Sequence, residues 1–240
     1  MNVLLINPPD EINYVLGIGK EFVQKYEPLG ILYIAAVLKG SGYEVSVIDA
    51  QAQNINIEAL KKLILQRNAD IVGFSTFTCN GAVVYALGQW LKYNSPEKLV
   101  ILGNVHASAY ARQYLENKCC DIVVHGDGEY AFLKILESYQ NGLLLGKIPG
   151  ISFLDEKGNY CKTSEGEIIE NLAGLPFPAR ELVNQGLYNL TNVSNQFYFV
   201  RKGDVVKTLS TSRGERGPAT NTAKVPASRQ TTNRTFRSDR

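Results

Sequence analysis

The sequence predicts an α/β chain built on a doubly wound, five-stranded parallel sheet with helices on both faces. Three observations predict it. Through residues 1–140, short apolar runs alternate with amphipathic segments of helical length. The runs are nearly continuous in apolar residues, as in strands covered on both faces. Glycine or proline marks several of the joins.

The first strand is read at Val3–Asn7, and a long connection follows from Pro8 to Pro28. Long connections in compact domains are usually functional. A helix over Leu29–Ser41 ends at Gly40 and Gly42, which turn the chain into a second strand at Glu44–Asp49. The spacing of Leu60, Leu63 and Ile64 predicts a helix over Asn56–Arg67. A third strand is read at Asp70–Ser75. Leu87, Trp90 and Leu91 predict a helix over Gly81–Tyr93, stopped by Pro96. Then come a strand at Lys98–Gly103, a helix at Ala107–Asn117, a strand at Asp121–His125 and a helix at Glu129–Gln140. Five such units in a row require a parallel sheet. Residues 1–145 therefore form the first predicted domain.

The pattern changes in residues 146–204. GISFLDEKGNYCKT reads as a β-hairpin turning at Asp155–Gly158. LAGLPFPAREL, with two prolines, reads as an extended linker. Ser194–Val200 and Val205–Ser210 read as two further strands around Arg201–Asp204. Residues 205–240 form the last predicted segment. From Arg213 onward the chain carries seven basic and two acidic residues, net +5, which leaves −3 on residues 1–212. Seven Ser/Thr and only Ala219, Ala223, Val225, Ala227 and Phe236 as hydrophobic positions predict a disordered basic tail.

A net charge of +2 gives no general case for nucleic-acid binding. The tail, with a single aromatic and no amphipathic pattern, makes a poor nucleic-acid arm. MNVLLINPP lacks a secretory n-region, and no apolar stretch is long enough to span a membrane, so a cytoplasmic protein is expected. Cys79, Cys119, Cys120 and Cys161 form no C-x-x-C pair and are read as free thiols, with one of the adjacent pair buried at a strand start.

Ligands of doubly wound sheets bind outside the carboxyl ends of the strands, beside the point where strand order reverses. The residues gathered there are the candidate site. Loop 1 supplies Asn7, Pro8 and Pro9 and returns through Pro28, Leu29 and Gly30. Strand 2 ends in Asp49, and strand 3 leads into Ser75, Thr76, Phe77 and Thr78. Strand 4 leads into Gly103, Asn104 and His106, and strand 5 into Gly126, Asp127, Gly128 and Glu129. Free amides, hydroxyls and small residues suit a large ligand bearing amide or phosphate groups. Each has a purely structural reading too: Asp49 as a loop anchor, Ser75, Thr76 and His106 as helix caps, His125 as turn packing. G-x-G-x-x-G, Walker A and G-x-S-x-G are absent, which removes the main support for dinucleotide, P-loop and hydrolase readings.

VLLINPP, EPLGILYIAAVLKGSGYEVSVIDA, DIVGFSTFT, VILGNVHAS and DIVVHGDGEYAFLKIL, in this order and spacing, resemble the N-terminal cobalamin-binding domain of radical S-adenosylmethionine enzymes. LPFPAREL and TLSTSRG extend the resemblance to about residue 214. It implies a Rossmann-like domain with cobalamin across the carboxyl edge, held by the loops above, with Leu29 or Phe77 packed on the ring. D-x-H-x-x-G is absent, which implies binding without a protein ligand to cobalt; His106 matches a common histidine of the family but is not assigned to the metal. The family's chemistry is radical methyl transfer or rearrangement on an organic substrate, which these residues leave unidentified.

The sequence departs from the family after Gly214. There the family has C-x3-C-x2-C, whose soft thiolates hold a [4Fe–4S] cluster that binds S-adenosylmethionine. Here Glu215 follows, and no cysteine comes after Cys161. The expectation is therefore a chain cut at the first strand of an incomplete barrel, itself incompetent for radical chemistry. Two other readings stand beside it: a Rossmann-like nucleotide-binding transferase with Asp49 or Asp127 on a ribose, and a non-catalytic remnant domain. A response-regulator reading fails because strand 3 ends in Ser75 rather than Asp.

Overall fold

A computed structural model describes residues 1–10, 25–188, 212–213 and 235–236. Five parallel strands form where the apolar runs predict them: β1 (Asn2–Asn7), β2 (Glu44–Asp49), β3 (Ile71–Ser75), β4 (Leu99–Gly103) and β5 (Ile122–Val124). Their spatial order is β2-β1-β3-β4-β5, so the chain reverses direction across the sheet between β1 and β3. The sheet is nevertheless larger than the five strands predicted. The hairpin β6 (Ile151–Leu154) and β7 (Tyr160–Lys162) joins it antiparallel through β5, giving seven strands.

Strand alternation divides the core in two. Val3 and Leu5 of β1 face one layer, and Leu4 and Ile6 face the other. The first layer is closed by α1 (Leu29–Gly40) and α6 (Glu129–Asn141), with Leu32, Leu38, Ile135 and Leu136 fully buried. The second is closed by α2 (Ile57–Arg67), α3 (Gly81–Asn94) and α5 (Ala111–Glu116), through Leu60, Leu87, Leu91 and Leu115. α3 lies so near the turn before β5 that a Cβ on Gly88 would stand 2.2 Å from the carbonyl oxygen of Cys119. The side chain of Asn56 accepts a bond from Ala59 N and caps α2.

The helix predicted at Ala107–Asn117 is two short ones, α4 (Val105–Ala109) and α5. The break falls at Tyr110, whose φ of −113° and ψ of 25° leave the helical region. Both Cys119 and Cys120 are buried, not one alone. Burial pushes the Cys119 thiol up to about 12 and the Cys120 thiol upward as well.

The segment read as an extended linker packs onto the domain. Ala179 N donates to Leu32 O, Arg180 pairs with Glu27 at 2.5 Å, and Ala179, Val183 and Tyr188 enter the first core layer. Ile169, Leu172 and Leu175 cover Tyr33 and Val37 on the outer side of α1. Ser212–Arg213 (β8) pairs antiparallel with Thr235–Phe236 (β9), so Arg213, Thr235 and Phe236 are paired within the tail expected to be disordered. The strands expected at Ser194–Val200 and Val205–Ser210 lie outside the described residues, as does the remainder of the tail. Among the described residues, no helix is long and apolar enough to cross a membrane.

Candidate functional site

Parallel strands with matched registers end together, so the residues after β1, β3, β4 and β5 meet at one edge. Ile6 stands opposite Phe74, and Ser75 opposite Gly103. Between this edge and the first turns of α1 and α6 opens a cleft of about 470 Å³. Its floor is apolar, with Leu5, Gly73, Phe74, Ile101, Val124 and Phe132. Its rim is polar, with Ser75, Asn104, Ser108, Asp127, Glu129 and Arg213.

Nine of the predicted site residues line this cleft: Leu29, Gly30, Ser75, Gly103, Asn104, Gly126, Asp127, Gly128 and Glu129. Two helices start on its rim. Neither Pro28 nor Gly128, which precede α1 and α6, caps its helix with a side chain. The positive ends of two helix dipoles therefore stand at the rim. Asn104, at φ 80°, uses its side chain twice: Oδ1 accepts from Val105 N, and Nδ2 donates to Ser75 Oγ at 3.2 Å.

The other nine predicted residues do not line the cleft. Asn7 and Asp49 join in a buried network instead. Asn7 Nδ2 donates to Asp49 Oδ1 at 2.9 Å, Ala52 N donates to the same oxygen, and Tyr188 Oη donates to Asp49 Oδ2 at 2.7 Å. Asp49 is 1% exposed, so this geometry gives it the anchoring role of its structural reading. Burial and the Asp49 carboxylate hold the Tyr188 phenol far above its ordinary value. Pro8, Pro9 and Pro28 flank the first loop, most of which lies outside the described residues. Phe77 is exposed beyond the cleft, and Thr78 opens a 3₁₀ turn at Thr78–Asn80. Thr76 is fully buried, and its Oγ1 has no hydrogen-bond partner among the described residues.

His106 turns away from the cleft. Its ring lies 4.6 Å from that of Tyr110 and 6.1 Å from that of Tyr114. It abuts the start of α3, where a Cβ on Gly81 would come within 2.4 Å of Nε2. Burial lowers its pKa. His125 Nε2 shares a 2.8 Å hydrogen bond with Ser152 Oγ, which is bonded in turn to Tyr160 Oη at 2.9 Å. Burial, helped by Lys162, pushes His125 from its ordinary 6.5 down to about 4. Both histidines of the chain are thus occupied elsewhere. Among the described residues, no group of three or more His, Cys, Asp or Glu is placed to hold a metal ion.

Sequence reasoning missed several residues of this region. Asn80 accepts from Phe77 N through Oδ1 and donates to Ser75 O, shaping the loop after β3; an Asn directly before a helix was the available signal. Arg213 reaches the rim from β8. Its guanidinium donates to Asp127 Oδ1 at 3.2 Å and to Glu129 Oε1 at 2.6 Å, and sits 5.4 Å from the centre of the Tyr33 ring. No local pattern links Arg213 to that loop. The ribose reading of Asp49 and Asp127 loses support here, since one is buried under Tyr188 and the other is bonded to Arg213.

Comparison with known proteins adds a family to this geometry. Over 196 residues the chain is 27% identical to an uncharacterized methyltransferase of Pyrococcus horikoshii, covering 80% of this chain and 41% of that protein. Over 163 residues it is 28% identical to the anaerobic magnesium-protoporphyrin IX monomethyl ester cyclase of Cereibacter sphaeroides, covering 65% of this chain and 25% of that one. The chain thus spans less than half the length of these relatives. Among solved structures it resembles OxsB, a cobalamin-dependent S-adenosylmethionine radical enzyme with aqua-cobalamin and S-adenosylmethionine bound. The TM-score is 0.67 at 23% identity, over 89% of this chain and 27% of OxsB. It also resembles TsrM of Kitasatospora setae, a radical S-adenosylmethionine methyltransferase, with TM-score 0.58 at 16% identity over 78% of this chain and 36% of TsrM. At these identities the structural likenesses establish the fold. The profile of the B12 binding domain matches residues 15–136, just over half of the sequence and most of the sheet that builds the cleft; the chain belongs to that family.

Proposed function

We propose that these residues are the corrinoid-holding unit of a cobalamin-dependent radical S-adenosylmethionine enzyme that transfers methyl groups or rearranges its substrate. The observation that carries the reading is the cleft at the β1/β3 reversal, apolar below and polar at its rim. The chemistry of the lining fits cobalamin. The apolar floor takes a flat ring or aromatic base, the rim meets amide arms, and two helix starts favour a phosphodiester. A corrinoid exceeds about 470 Å³, so the cleft takes part of it, against Leu29, and leaves the remainder at the carboxyl edge, toward Phe77.

Bound cobalamin supplies a cobalt centre able to carry a methyl group. The role of this chain is to bind and orient it. With His106 packed at a tilt against Tyr110 and His125 bonded to Ser152, the reading has no protein side chain on cobalt. Ser75 and Asn104, locked to each other, serve as fixed polar contacts. The reaction also needs a cluster that activates S-adenosylmethionine. No cysteine follows Cys161, so these residues do not supply the three-thiolate motif.

The test is an absorbance titration of the purified chain with hydroxocobalamin and methylcobalamin, followed by gel filtration. Stoichiometric co-elution of the corrinoid supports the reading. A folded protein that retains no corrinoid at micromolar concentration overturns it.

A further inference from the structure

We infer that Arg213 is a clasp: it fastens the β8 segment to the Gly126–Glu129 loop and sets the charge that the cleft presents to its ligand. The inference rests on the corrinoid reading of the cleft, and goes beyond it in naming what tunes the site. One guanidinium spans two carboxylates, Asp127 and Glu129, whose side chains are 11% and 4% exposed; that of Arg213 is 17% exposed. Carboxylates held this far from water need a compensating charge. Arginine suits the position because its planar fork reaches two acceptors at once while its face rests near Tyr33. Lysine carries the charge without the fork.

Two consequences follow. Without Arg213 the loop loses its tie to β8, and the start of α6 opens more often. The rim also gains one uncompensated negative charge, its net going from −1 to −2. At about 10 Å and an effective dielectric of about 20, each unit of ligand charge then changes affinity by about tenfold. Arg213 is a positioning residue here, acting on the ligand through the loop and its charge.

The experiment compares the full chain with R213A, R213K and R213A/E129Q. Hydrogen exchange without ligand reads the clasp. R213A is expected to speed exchange at Gly128–Phe132 by about tenfold, leave Ile71–Phe74 unchanged, and be partly rescued in R213K. Unchanged exchange at Gly128–Phe132 overturns the clasp. Affinities for cationic aquacobalamin, neutral cyanocobalamin and anionic sulfitocobalamin read the charge. R213A is expected to lose the anion most and the cation least, and R213A/E129Q to recover part of the difference. Equal losses for all three corrinoids overturn the charge role. If the unsubstituted chain retains none of them, the corrinoid reading falls with the charge role, and exchange alone decides the clasp.

Discussion

Tyr188 and Asp49 are 139 residues apart in sequence and 2.7 Å apart in the fold, phenol to carboxylate. The bond ties the turn Gln185–Tyr188, at the end of a strap running from Asn171 to Tyr188, to the end of β2. Tyr188→Phe keeps the ring and removes the donor from a buried carboxylate. The expected loss is about 1.5–3 kcal/mol of stability, read from urea denaturation. Tyr139→Phe, at an exposed tyrosine, serves as the control with no measurable change. Equal stability of both variants rejects a bonded role for Tyr188.

Gly88 is fixed by contact. An alanine gains helix propensity in α3 but drives its Cβ to 2.2 Å from a backbone carbonyl, which cannot swing aside as a side chain could. The clash dominates, and Gly88→Ala is expected to cost about 1–3 kcal/mol, lowering the melting temperature by several degrees. A melting temperature equal to or above that of the parent chain sinks this account.

His125 makes stability fall on acidification. Unfolded, it takes up a proton near 6.5; folded, only near about 4. Between those values the unfolded chain binds more protons, so stability drops as pH falls through this window and levels off below it. Denaturation curves of the parent chain and His125→Gln, collected across the window, are expected to differ in slope, with the variant flatter. Parallel slopes mean His125 is not held neutral.

The four thiols are expected to separate into two classes. Cys119 and Cys120 are buried, with their thiols held protonated, and should stay unreacted toward iodoacetamide in the native protein. Cys161 and Cys79, both half-buried, should react, Cys79 more slowly because burial and Asp10 raise its thiol. Mass spectrometry before and after unfolding distinguishes the classes; native labelling of Cys119 contradicts the packing described for β5.

Gly103 lines the cleft, and a Cβ there meets nothing within 4 Å. Gly103→Leu should therefore fill the cleft without disturbing the sheet. Corrinoid affinity is expected to fall at least tenfold, by about 1.4 kcal/mol or more, with the circular dichroism unchanged. Undiminished affinity in a folded variant means that the ligand does not enter this cleft.

Much of the frame is legible in sequence. Each of the five parallel strands lies within a residue or two of its predicted span, because a strand covered on both faces must be a contiguous apolar run. Half of the candidate residues come together for a related reason: parallel strands in register deliver their following loops to one edge. What was illegible depends on distance or on a single dihedral angle. The ion pair Arg180–Glu27 joins residues 153 apart. The reach of Arg213 to Glu129 spans 84, and neither leaves a periodic trace. The break at Tyr110 is a turn in the backbone within a segment whose composition stays helical. Asp49 was read both as an anchor and as a ligand because a strand-end carboxylate looks the same in either role until its partners are visible.

The strap from Asn171 to Tyr188 also orders events in time. Its bonds to Glu27, Leu32 and Asp49 close loops of well over a hundred residues, the kind of long-range contact that slows folding. A ribosome releases β1 and α1 early, yet the outer face of α1 and the Asp49 carboxylate wait for the strap. During that interval Tyr33 and Val37 remain uncovered, although they are buried in the finished domain. Synthesis through Leu175 is thus the step that covers the outer face of α1.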